Sequence, residues 1–423
     1  MSPYKKVKLK NGLRVILAPM AGTKTVTVMI MIGVGSRYET NREAGLSHFI
    51  EHMFFKGTKK RPTTLAISEE LDAIGGEFNA FTSKDKTEYF AKVDAKHIDT
   101  ALDVVSDIYL NSKIDAKEIE KEKGTIIQEL NMYEDTPVRN ITDIFESMLY
   151  SGTPLGREIV GTKKTIVSFK RKVFIDFMRR FYIAADTAVC VAGKFNEKKT
   201  LAKIKKYFGA MRTGKKLKVI PVRKDQEGPE IKLKFKKTDQ THLMLGTRAY
   251  DWNHKDRFAL AILAIILGGG MSSRLFIEVR EKQGLAYNIR TGGEAFEDGG
   301  YIATQAGVEH KNLEKTVTMI LREYGKIARE KVNARELKKA KECIKGRIVM
   351  GLEASDEVAT FYIDQEITRK KIMTQEELFS RIDKITEDDI MKVAQDVFRD
   401  NQLNLAVIGP QKDGKKFKKI LKL

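Results

Sequence analysis

The feature that most constrains the fold is a unit written twice. Toward the end of the first half, Ala188-Val-Cys-Val-Ala-Gly193 reads as a strand buried on both faces, with a helix following from Asn196. Near the end of the chain the arrangement returns as Asn404-Leu-Ala-Val-Ile-Gly409, with a helix from Lys412. Gly193 and Gly409 stand 216 positions apart. Two long helices repeat the echo: Asp115-Ala-Lys-Glu118 opens one with a capping box, and Asn333-Ala-Arg-Glu336 opens the other 218 positions later. Two echoes at nearly one offset argue for duplication. A chain of 423 residues, 42% of them hydrophobic, has the length and the apolar content for two such domains.

Residues 209–229 carry glycine, proline and charge without apolar periodicity and read as a linker. The expected domains are therefore 1–208 and 230–423. Alternation predicts strands at Thr25–Ile32, Glu88–Val93, Glu230–Phe235 and Tyr301–Ala306, and a hairpin through Asn11-Gly12 near the N-terminus. Helical periodicity marks Ile98–Leu110 and Leu313–Ile327. Runs of strands beside runs of helices give an α+β fold class: two homologous α/β sandwich domains, each a mostly antiparallel sheet with helices packed on one face.

The N-terminal residues lack the pattern of a secretory signal, and no apolar run is long enough to span a membrane, so a cytoplasmic protein without membrane association is expected. Cys190 and Cys343 have no ligand spacing and read as core residues. The formal charge of +20 raises nucleic-acid binding. Yet the lysines and arginines are scattered among apolar residues, and no recognition signature accompanies them. A solvated basic surface is the reading, with no nucleic-acid partner.

Residues 44–55 form a helical pattern ended by Gly57, with His48 and His52 spaced i, i+4. Both imidazoles project from one face, one turn apart, which suits a zinc ion that takes three protein ligands and leaves a position for water. Glu51 lies on the same side and can act as general base on that water. An apolar helix burying three ionisable groups without a partner would be costly. A third ligand is expected from the helix that begins at Asp115. There Glu122 and Glu129 share a face two turns apart, so that one ligates and the other hydrogen-bonds a ligating histidine. Spacing leaves open which does which.

The chain resembles the pitrilysin/insulin-degrading-enzyme superfamily of inverted-motif (His-x-x-Glu-His) zinc peptidases, and within it the short-subunit group that includes mitochondrial processing peptidase. The resemblance runs through Gly45-Leu-Ser-His48 and the zinc motif, Phe54-Phe-Lys-Gly-Thr58, Gly75-Gly-Glu-Phe-Asn-Ala-Phe-Thr-Ser83 and Ile126-Ile-Gln-Glu-Leu130. It implies Glu129, 77 positions after His52, as the third ligand and Glu122 as the group supporting a ligand. It implies that the segment Asn79, Ala80 and Phe81 pairs with extended substrate. In the second half the glycines Gly268, Gly269 and Gly270 match the family, as do Arg280 and Tyr287, which the resemblance assigns to the scissile peptide bond.

Laying one half over the other places Leu263, Ile266 and Leu267 where the first half has His48, Glu51 and His52, and Ala340 and Arg347 where it has Glu122 and Glu129. One zinc ion per chain follows. The expected function is a zinc metalloendopeptidase acting on peptides or small unfolded proteins. The expected assembly is a homodimer, with a heterologous partner subunit as the variant. The alternative is a non-catalytic structural subunit of the same family.

Overall fold

The computed structural model describes residues 3–222, 226–369 and 371–423; the middle of the expected linker, 223–225, lies outside them. Eleven strands among the described residues form two sheets. The first contains β1 (Lys5–Lys8), β2 (Arg14–Pro19), β3 (Thr25–Ile32), β4 (Glu77–Thr82), β5 (Thr87–Asp94) and β6 (Thr187–Gly193). The second contains β7 (Glu230–Phe235), β8 (Thr241–Ala249), β9 (Ala286–Ala295), β10 (Gly300–Val308) and β11 (Asn404–Gly409). The spatial orders are β1-β2-β6-β3-β5-β4 and β7-β11-β8-β10-β9.

These orders are one topology used twice. β6 pairs in parallel with β2 and antiparallel with β3; β11 pairs in parallel with β7 and antiparallel with β8. All other pairings are antiparallel. The extra strand β1 belongs to the predicted hairpin, whose turn places Gly12 at φ 96° with Leu9 N–H donating to Leu13 O at 2.8 Å. The two capping signals hold on one side only. Asp115 Oδ1 accepts from Lys117 N–H at 2.8 Å and Asn333 Oδ1 from Glu336 N–H at 2.8 Å. The carboxylates that would complete the boxes pair elsewhere, Glu118 with Lys121 and Glu336 with Arg274.

The compact units are not the two contiguous halves. One comprises Met1–Leu130, Arg157–Ile220 and Val349–Thr374; the other comprises Asn131–Gly156, Pro221–Ile348 and Gln375–Leu423. The chain does divide within the linker, between Ile220 and Pro221, but each half also contributes one helix to the other's unit. The exchanged helices are Pro137–Leu149 and Ser355–Thr368, which start 218 positions apart and are thus equivalent copies. The expected boundaries at 208 and 230 therefore miss a symmetrical exchange.

Its physical cause is the double-sided burial of the central strands. In β3 every residue from Val26 to Ile32 is buried. Val28 and Ile30 face one way, toward the main helical layer that includes Ile98–Asn111. Met29 and Met31, with Ile16, Ala18, Cys190 and Ala192, face the other way and are covered by Val358, Ala359, Tyr362 and Ile363 of the exchanged helix. Ser355 Oγ at its start bonds Thr27 Oγ1 at 2.8 Å, and Glu366 near its end pairs with Lys6 at 2.7 Å. In the second unit Ile141, Ile144, Phe145 and Met148 cover Met244, Ala303, Ala406 and Ile408 in the same manner.

Each fully buried aliphatic side chain contributes roughly 1.5–3 kcal/mol. Ile363→Ala is therefore expected to destabilise the protein by about 2–5 kcal/mol in urea unfolding, a value set by the cavity left against the sheet. A change below that of an ordinary surface substitution would show that the helix is dispensable for this face.

Candidate metal centre

The two histidines of the candidate metal centre are carried by the helix Leu46–Phe54. Leu46, Phe49, Ile50, Met53 and Phe54 recur at helical spacing and are fully buried. Phe49 meets Phe174 edge-on with ring centroids 5.0 Å apart, and Phe54 stacks on Tyr89 at 4.9 Å. The rotation of the helix is thereby set, leaving His48, Glu51 and His52 on the opposite side. Gly45 stands before the first turn at φ 96°, and a Cβ there would lie 2.4 Å from the Val160 carbonyl oxygen, so the approach requires glycine. The first-turn amides donate to the Glu39 carboxylate, Gly45 N–H at 2.8 Å and Ser47 N–H at 2.7 Å. Burial pushes the Glu39 carboxyl up to about 8, against the pull of these two amides.

Glu129 comes from the long helix Ala116–Asp135 and straddles the two imidazoles. Its Oε1 lies 3.5 Å from His48 Nε2 and its Oε2 lies 3.4 Å from His52 Nε2. One donor atom from each residue falls within 4.8 Å of the others. Tetrahedral zinc with bonds near 2.0–2.2 Å places its ligand atoms about 3.3 Å apart, so the set fits one ion. Two borderline nitrogens and one carboxylate also match zinc chemically and leave a coordination position for solvent or substrate.

Glu122 lies two turns earlier on the same helix face and does something different. Its Oε1 accepts from His52 Nδ1–H at 2.8 Å, while its Oε2 accepts from Lys56 Nζ at 2.6 Å. The bond fixes the His52 tautomer and turns Nε2 toward Glu129. His48 Nδ1 is buried with no hydrogen-bond partner among the described residues, so the two histidines are supported unequally. Burial disfavours the His52 cation, but hydrogen bonds to Glu122 and Glu129 outweigh it and carry the imidazole up to about 9. Burial raises Glu122, yet His52 and Lys56 together hold its carboxyl below the usual range. The two carboxylates thus favour a proton on His52 when no metal is bound.

Glu51 is half-buried, and its Oε2 accepts a hydrogen bond from Thr82 Oγ1. Thr82 ends β4, which lies at the rim of its sheet and, among the described residues, pairs with β5 alone. Asn79 and Phe81 on this strand are exposed and Ala80 is half-buried. Thr82, Lys56 and Glu39 carry no role in the sequence reading. Alternation along β4 was the available signal for Thr82, since it puts Thr82, Ala80 and Phe78 on the covered face.

Arg280 and Tyr287 are brought together in the second unit. The Arg280 guanidinium sits 4.8 Å from the Tyr287 ring centroid and 4.6 Å from that of Phe276, and Tyr287 is 79% exposed. Gly268 ends the helix Arg257–Gly268, where a Cβ would meet the Thr291 amide nitrogen of β9 at 2.3 Å; its glycine has a packing reason. Gly269 is the C-cap, and its carbonyl accepts from Arg347; Gly270 has open space around it. Leu263, Ile266, Leu267 and Ala340 are buried core residues. The metal groups of the first half are thus replaced by packing.

Fold and site together define a duplicated α+β protein with, among the described residues, one histidine–carboxylate cluster that could hold a metal ion. Its sequence matches insulinase (peptidase family M16) over residues 14–163 and the peptidase M16 inactive domain over residues 168–343. The chain belongs to this family, as the resemblance to the pitrilysin-like superfamily implied. It is 33% identical to the "Uncharacterized zinc protease YmxG" of Bacillus subtilis, covering 96% of this chain and 98% of that protein. It is 37% identical to an "Uncharacterized zinc protease" of Rickettsia felis, covering 95% and 97%. The fold is that of a protease from Helicobacter pylori, with a TM-score of 0.89 at 24% identity over 96% of this chain and 99% of that one. A peptidase M16 inactive domain from Pseudomonas fluorescens gives 0.89 at 17% identity over 97% and 98%.

The centre yields two expectations. Glu129→Gln should weaken zinc binding severely, and Glu122→Gln by roughly 10–100-fold, as loss of a ligand exceeds loss of a ligand's support. Competition with a chelator gives both constants, and the reverse ranking would exchange the roles. Zinc must also displace the proton on His52. Its affinity should thus rise with pH by up to about tenfold per unit and level off above about 9. The sign for the metal-free protein is opposite. The ion-pair stabilisation from His52 is complete below its ordinary value of 6.5 and lost as pH rises through about 9.

Proposed function

We propose that the chain is a zinc metalloendopeptidase that hydrolyses peptides or small unfolded proteins. The observation that carries the reading is the convergence of His48, His52 and Glu129 beside a glutamate, Glu51, that is not one of the converging donors. When bound, zinc supplies Lewis acidity, polarising a substrate carbonyl and making water a stronger acid. Glu51 takes the proton from the attacking water and returns it to the leaving amine. Glu129 balances charge between the two imidazoles, and Glu122 keeps His52 oriented. The outer edge of β4, which pairs with no further strand among the described residues, accepts an extended peptide as an added strand, which selects unfolded segments over folded ones.

Arg280 and Tyr287 complete the reading as donors to the oxyanion that develops on the scissile carbonyl. We assign them to the zinc site of a second copy, so that the working form is a homodimer. Their mutual stacking and the exposure of Tyr287 support a surface role over a core one.

Glu51→Gln should retain near-stoichiometric zinc and lose peptide turnover by at least about 100-fold, the scale of general-base catalysis. His52→Ala should lose both. Bound-metal analysis with a fluorogenic peptide assay measures the pair. A wild-type protein that holds zinc but cleaves nothing would favour a non-catalytic structural subunit.

Sharing of sites is tested by mixing Glu51→Gln with Tyr287→Phe and allowing subunits to exchange. In a mixed dimer one site carries both lesions and the other carries none. About half the dimers are mixed, so roughly a quarter of wild-type activity should return. Verified exchange without recovery would place Tyr287 in its own chain's site.

A further inference from the structure

We infer that Thr82 is a positioning residue that holds Glu51 in the orientation of a base, an inference that rests on the peptidase reading above. The Thr82 hydroxyl donates to Glu51 Oε2, and Thr82 is 5% exposed. An ionised carboxylate only accepts, so the direction of the bond is set. Neither side chain has another hydrogen-bond partner among the described residues, which leaves Oε1 as the free oxygen of Glu51.

The donor is held firmly. Thr82 pairs with Thr87 across the β4–β5 ladder, and Ser83 N–H donates to Lys86 O at 2.8 Å to close the turn that follows. Ser36 N–H donates to Ser83 O at 3.0 Å, and Arg37 N–H to Lys84 O at 3.0 Å, pinning that turn from outside. A β-branched side chain on such a backbone has little χ1 freedom, so its hydroxyl is aimed before any ligand arrives.

Glu51, by contrast, is a flexible side chain next in sequence to His52. Left alone it can turn to solvent or fold onto the bound cation as a further ligand. Either motion removes a base from the reaction path. Occupying Oε2 with a fixed donor prevents both and presents Oε1 to the attacking water. Because the donor ends the strand that would receive the substrate, base and peptide are placed by one element.

The test compares Thr82→Val, which keeps shape and loses the hydroxyl, with Thr82→Ser, which keeps the hydroxyl. For Thr82→Val, kcat should fall about ten- to hundredfold with KM within about twofold. Zinc stoichiometry, zinc affinity and melting temperature should be those of wild type. Thr82→Ser should retain kcat within about threefold, as a general-base step with its donor in place requires. The inference is overturned if Thr82→Val turns over like wild type, or if Thr82→Ser is as slow as Thr82→Val. It is also overturned if the loss appears in KM alone, or comes with lost zinc or a lower melting temperature, since these assign Thr82 to substrate contact or to stability. Failure of the peptidase reading is distinct: wild type would then be inactive and Glu51→Gln indistinguishable from it.

Discussion

Apolar residues on both faces of the central strands are the constraint on which the rest depends. One layer of helices can cover only one face of a sheet, and an uncovered second face would expose Ile16, Met29 and Met31 to water. The chain solves this by crossing. Each half sends one helix to the other's sheet, and the two crossings occur at equivalent points, after Leu130 and after Ile348. The crossing element in the first half is the helix Ala116–Asp135, and Glu129 is its penultimate residue before the crossing. The element that leads into the cover for one sheet is thus also the element that carries Glu129, the third donor of the candidate metal centre.

Electrostatics then decide how the centre works. Three ionisable groups on an apolar helix would be costly to bury unless each had a partner. His52 has two, Glu122 on one nitrogen and Glu129 on the other, and Lys56 neutralises the outer oxygen of Glu122. A proton on His52 and a metal ion are alternative ways to satisfy the same carboxylates. In the second half the equivalent positions carry leucine, isoleucine, alanine and, in place of Glu129, Arg347, so no carboxylate or imidazole remains there to call for a cation. Duplication supplied two scaffolds; their side chains distinguish the one that carries the candidate metal ligands.

Much of this was legible in the sequence. Alternation located β3 and β7 to the residue and the repeated apolar run located β11; helical spacing placed the helix bearing His48, Glu51 and His52 within two residues of its ends. The repeat offset anticipated that the two sheets share a topology. These are local properties: which face of an element is apolar, and which side chains one helix turn brings together.

Local sequence therefore fixed the type of several elements and the identity of the chemical groups they carry. Tertiary structure alone decided which partner each element meets. The apolar stripe of Val358, Ala359, Tyr362 and Ile363 shows that its helix must be covered, but burial is non-directional and does not specify which sheet provides the cover. Glu122 and Glu129 share one helix face, so spacing cannot separate ligand from support; only the position of the facing helix puts Glu129 at the two Nε2 atoms and Glu122 at Nδ1. Thr82 and Glu51 are 31 positions apart with no shared periodicity, and their hydrogen bond exists because a sheet rim and a helix happen to be packed side by side.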